Sequence, residues 1–91
     1  MNIPAPHLQP AIDAWVNHGF PAPTEMGSFL RAVLQHDLMG AARHADVHNR
    51  TRLADWAFYL HNELPSPCHG SAEVLEAWHA HGGLFGRKES A

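Results

Sequence analysis

His44 and His48 stand four residues apart, one helical turn, the spacing at which two imidazoles can reach a single metal ion. Asp46 lies between them and is a good helix N-cap, so a helix boundary there would put the pair across a junction. Position 45 is alanine, and the glutamate that follows the first histidine of the H-E-x-x-H zinc motif is therefore missing. Two ligands without a third make no site. Cys68-His69, with His79 and His81 further on, offers a second set of Cys and His ligands, but the spacing fits no structural zinc pattern. Histidines near a helix C-terminus have a simpler use, because the helix dipole favours imidazolium there. No metal or other cofactor is expected. Nucleophilic catalysis fares no better: the chain has neither a G-x-S-x-G elbow nor a glycine-rich phosphate loop. Glu63, Glu73 and Glu76 are acids without a partner that spacing can place. The chain reads as a non-enzyme.

Composition sharpens this. Nine histidines outnumber the six lysines and arginines, and charged residues are only 16%, against roughly 25% in an average soluble domain. The formal net charge is −3, and protonating all nine imidazoles would carry it to +6, so the surface charge is soft near neutral pH. No strongly basic field exists to neutralise phosphates, and direct nucleic-acid binding is not expected. The single Cys68 excludes an intrachain disulfide framework and fits a reducing cytoplasm. The N-terminal Ile3-Pro4-Ala5-Pro6 region carries no signal-peptide pattern, and no apolar run approaches the roughly 20 residues that span a membrane. A cytoplasmic protein without a membrane partner is the expectation.

Prolines at 4–10, 21–23 and 65–67 divide the chain, and the apolar spacing between them is helical. Ile12, Trp15 and Val16 predict a helix over 9–18, stopped at Gly19. Thr24 or Ser28 can cap a second helix with Phe29/Val33 and Leu30/Leu34 as its apolar pairs, and Leu38 and Met39 continue the pattern into a short helix over 38–44. Asp46 opens the clearest element, a helix running to about Asn62 with Leu53, Trp56, Ala57, Leu60 and Leu64 on one stripe, widened by Phe58 and Tyr59. Ser71 caps a last helix that ends at Gly82-Gly83. The fold class is all-α, a single compact domain of four or five short helices over 1–85, with 86–91 a fraying polar tail. Trp15, Trp56 and Trp78 fall on the inner stripes of three different helices and are expected to meet in one core. An exposed Trp78 acting as an interface anchor is the alternative.

The ordered motifs resemble a family of small uncharacterised proteins of tailed phages and prophages. The likeness runs through Ile3-Pro4, Trp15-Val16-Asn17-His18-Gly19-Phe20-Pro21 and Phe29-Leu30-Arg31-Ala32-Val33-Leu34. It continues in Tyr59-Leu60-His61-Asn62-Glu63-Leu64-Pro65, Gly70-Ser71 and Trp78, and covers about residues 3–79. Two departures stand out: Ala22-Pro23-Thr24-Glu25-Met26 lengthens a loop, and His69 occupies a position where an aromatic residue is usual before Gly-Ser. The resemblance carries no catalytic residues. It implies a phage or mobile-element accessory protein in a bacterial host.

Two functions follow as expectations. In the first, the chain binds a host or phage protein complex stoichiometrically and inhibits it, a CRISPR–Cas defence complex being one such target. Its contact residues would be Arg43, His44, Arg50 and His69, and a homodimer is compatible with this reading. In the second, the chain is a small DNA-binding or metal-binding regulator, for which Val47-His48-Asn49-Arg50-Thr51-Arg52 is the one stretch suited to a recognition helix.

Overall fold

Helix ends in this chain are set by capping side chains and by backbone that cannot continue, and both keep the helices short. The computed structural model describes residues 3–90. Its helices are α1 (Gln9–His18), α2 (Ser28–Leu34), α3 (Leu38–His44), α4 (Val47–Arg50), α5 (Leu53–Glu63), α6 (Ala72–His81) and α7 (Gly83–Ser90). Single 3-10 turns lie at Pro6–Leu8, Pro23–Glu25 and Ser66–Cys68. The described residues contain no strand, and the class is all-α. None of these helices is long and apolar enough to cross a membrane.

Asp46 and Ser71 cap helices where the sequence places them and Asp37 adds a third cap, whereas α2 starts after Gly27 without the side-chain cap expected of Thr24 or Ser28. The Asp37 carboxylate accepts from the Gly40 amide at 2.9 Å, Asp46 from Asn49 at 2.8 Å, and the Ser71 hydroxyl from Val74 at 3.2 Å. Each satisfies an amide that the first helical turn would leave open. At the other end of α1, Gly19 takes a left-handed φ of 65°, and the chain turns through a cis Phe20–Pro21 bond.

The described chain holds seven helices, more than the four or five expected, and two differences account for most of the excess. The helix expected to run from Asp46 to about Asn62 is divided. Arg52 N bonds back to Asn49 O at 3.0 Å, while the Thr51 hydroxyl donates to the His48 carbonyl at 2.9 Å. That carbonyl is the one a continuing α-helix would offer to Arg52, so α4 closes and α5 starts afresh. At the C-terminus, the expected tail over 86–91 is helical as far as Ser90, with Ala91 outside the described residues. Gly82 (φ 84°) ends α6 and Gly83 (φ 71°) opens α7, which packs Leu84 on the core and Phe85 against the His18 ring at 4.9 Å. Those contacts are absent from any local pattern.

The tryptophans form one core. Trp15, Trp56 and Trp78 are 0%, 1% and 2% exposed and belong to a single buried cluster, which removes the alternative of Trp78 as a surface anchor. Every indole N–H has a partner. Trp15 donates to the Cys68 carbonyl at 2.8 Å, Trp78 to the Trp15 carbonyl at 2.7 Å, and Trp56 to the Asn49 side-chain oxygen at 3.1 Å. These bonds tie α1 to the 66–68 turn, α6 to α1, and α5 to α4. Phe58, expected to widen the apolar stripe of α5, is exposed instead, as are Leu38 and Met39 at the start of α3.

Candidate functional site

Two helix ends and one loop bring histidines to a single groove. The first is His36, just after α2. Its amide bonds to Val33 O at 3.1 Å and the Asp37 amide to Ala32 O at 2.8 Å, the paired pattern of a Schellman cap. The residue at its centre must be left-handed, a position usually given to glycine. Here it is His36, with φ 63°, the one non-glycine residue with positive φ among those described. A side chain in that region costs about 1–2 kcal/mol.

What it meets is His69. The loop carrying His69 is clamped on both sides: the Cys68 carbonyl takes the Trp15 indole N–H, and the Gly70 amide donates to Leu34 O at 2.8 Å. Between these anchors His69 Nδ1 lies 2.7 Å from His36 Nε2, with the ring centres 4.9 Å apart. His61, on α5, comes close enough to act on His69 electrostatically. Burial lowers the pKa of His69 first of all, the positive charges available to His36 and His61 add to this, and a hydrogen bond to the Leu60 backbone pulls the other way.

These imidazoles form one lip of a cavity of about 260 Å³. Ala32 and Val33 of α2 and Leu38 and Ala41 of α3 form one wall, and Leu53, Trp56, Ala57 and Leu60 of α5 the other. Asp37 also borders it, with its carboxylate engaged in capping α3. The floor is therefore apolar, and the polar groups sit at one edge. That arrangement suits recognition of an apolar group with orientation set at the rim.

The depressed His69 pKa has a stability consequence whose sign is fixed. An unfolded His69 takes up a proton near the ordinary value of 6.5, before the folded one does. Stability from this residue is thus fully present above about pH 6.5 and lost as pH falls from there toward the lower folded value. The difference between wild type and His69→Gln in urea midpoint, measured from about pH 8 to about pH 5.5, is expected to shrink on acidification. A constant difference would contradict it.

The residues singled out from sequence are dispersed around this groove. His69 lines it, and Arg43, His44 and Arg50 do not. Arg43 and His44 are exposed in the last turn of α3, and Arg50 is held toward that junction by a bond to the Ala45 carbonyl at 3.4 Å. His36 and His61 carry no sequence signal of their own and enter only through the tertiary structure. His44 and His48 are separated by the Asp46 cap, and His48 Nε2 donates to the Pro4 carbonyl at 3.0 Å. His79 Nδ1 donates to Gly19 O at 2.7 Å. Cys68 is fully buried, which pushes its thiol up to about 12 and leaves it protonated and unreactive at neutral pH. The stretch 47–52 forms a four-residue helix and a turn, with Asn49 buried against Trp56. Among the described residues no group of three or more His, Cys, Asp or Glu side chains is arranged to hold a metal ion. No protein-family model, curated protein or solved structure matches the chain.

Proposed function

We propose that this chain is a stoichiometric protein-binding module that takes an apolar segment of a partner into the groove between α2–α3 and α5. The observation that supports this is the start of α3. Leu38 is 66% exposed and Met39 76% exposed, and Leu38 forms the edge of the apolar groove. Isolated surface leucines need no explanation, but large apolar side chains beside a concave apolar floor with a polar rim mark an interaction surface. Arg43 extends the same helix with a positive charge, which favours a partner bearing acidic groups next to its apolar residues. The resemblance to small phage and prophage proteins supplies the setting, in which a host defence complex of the CRISPR–Cas type is the partner class.

Leu38→Glu is the direct test. The position opens α3, where a carboxylate suits the helix dipole, and its exposure leaves the core untouched. Thermal stability should stay within a degree or two of wild type, about the spread of ordinary surface changes. Removing an interface anchor of this size costs roughly 2 kcal/mol, or about 30-fold in affinity. A tagged wild-type chain is therefore expected to retain a bacterial partner through a high-salt wash that the variant cannot withstand. Equal retention by both would place the binding surface elsewhere.

A further inference from the structure

We propose that His36 and His69 are a proton-operated clasp: they share one hydrogen and hold the lip of the groove in its docking shape, and protonation of both parts them. This regulation rests on the docking reading of the groove. The geometry dictates the number of protons. Two imidazole nitrogens 2.7 Å apart require that one donates and the other accepts. In either tautomeric arrangement, one of His36 Nε2 and His69 Nδ1 carries the hydrogen and the other accepts it. One added proton leaves that bond in place and makes it charge-assisted. A second proton must go onto the accepting nitrogen, where two N–H groups would confront each other, and the rings must separate.

Other groups facing the pair do not relieve this. His61 adds like charge on protonation, and the Asp37 carboxylate, which keeps its charge while its Oδ1 accepts from the Gly40 amide, does not act on His69. The remaining groove walls, from α2, α3 and α5, are apolar. Backbone geometry supports a dedicated role for the ring. Glycine would fit the cap at position 36 without strain, yet a histidine occupies it in the left-handed region with its ring on His69. Strain held at one residue beside a candidate binding surface is the kind of feature that accompanies a switch. Acidification thus converts an apolar groove with a neutral rim into one edged by repelling cations, and an apolar segment is released.

The test uses the full chain in a histidine-selective proton–nitrogen NMR titration from about pH 8.5 to about pH 5. In wild type, one of His36 Nε2 and His69 Nδ1 should be protonated and the other unprotonated at the alkaline end. His36 and His69 should titrate in a broadened, coupled step, and the Trp56 indole and Leu60 methyl signals should move with it. His36→Gly keeps the cap in its preferred residue type and removes the ring, so the chain stays folded, and the His69 midpoint should shift upward. His69→Gln should abolish the groove response. Independent single-site titrations, a His69 midpoint unmoved by His36→Gly, or groove signals that ignore the step would each overturn the clasp. If the coupled step is found while Leu38→Glu leaves partner retention intact, the clasp stands and the docking reading falls.

Discussion

Trp15→Ala is expected to leave the chain largely unfolded in dilute buffer. Trp15 has no exposed surface, and its side chain belongs to the buried cluster. Truncating a buried tryptophan costs about 3–5 kcal/mol. A second cost comes with it, because the Cys68 carbonyl loses the indole N–H that it accepts at 2.8 Å, and a buried acceptor left open costs about 1–3 kcal/mol. The total stability of a natural domain is about 5–15 kcal/mol, and a chain of this length sits toward the lower end. The two losses together therefore consume most of it. Trp15→Phe separates them: much of the volume is kept and the hydrogen bond is not, so this variant should fold with a lowered urea midpoint. Far-UV circular dichroism read against urea gives both results. A Trp15→Phe chain with a wild-type midpoint would show that the bond from α1 to the 66–68 turn contributes little.

The parts of this fold that are local in origin were legible in the sequence. Gly19, Asp46 and Ser71 end or begin helices through bonds that span three or four residues, and the spacing of Ile12, Trp15, Trp56 and Trp78 places each on an inward face. Boundaries that depend on competition were not. Nothing in Thr51 announces that its hydroxyl will take the His48 carbonyl and divide the long helix, since the same residue tolerates a helix interior. Periodicity also says which residues share a stripe without saying whether another element covers it. Leu38, Met39 and Phe58 continue apolar patterns and yet face solvent. The site was the least legible part. His69 was singled out, but its partner is 33 residues away, and the left-handed cap that presents His36 is a position where sequence reasoning looks for glycine. Arg43, His44 and Arg50 drew attention as exposed polar groups, a property that does not distinguish the groove from the rest of the surface.

Gly83→Ala is expected to detach α7 from the domain. The end of α1 and the start of α7 meet main chain to main chain, which is why a glycine stands on each side of the contact. A methyl group at Gly83 would lie 2.5 Å from both the Asn17 carbonyl carbon and the His18 nitrogen. Neither atom can yield by side-chain rotation, so the helices themselves must move apart. Gly83 also has a φ of 71°, in the left-handed region that costs a residue with a Cβ about 1–2 kcal/mol by itself. Gly19 repeats the arrangement, since a methyl there would come within 2.7 Å of the Trp78 carbonyl and 3.0 Å of the Gly83 nitrogen. Combining strain with the lost packing of Leu84 and of Phe85 on His18, the expected loss for Gly83→Ala is about 2–4 kcal/mol. Gly27→Ala is the matched control. A methyl there meets nothing within 4 Å, and the N-cap change alone costs no more than about 1 kcal/mol. Urea midpoints of the two variants, with limited proteolysis to locate new cleavage after Gly82, distinguish the cases. Equal midpoints would mean that the backbone contact between α1 and α7 does not hold the C-terminal helix in place. A large drop confined to Gly83→Ala, with early cleavage at its N-terminal side, identifies that contact as the anchor.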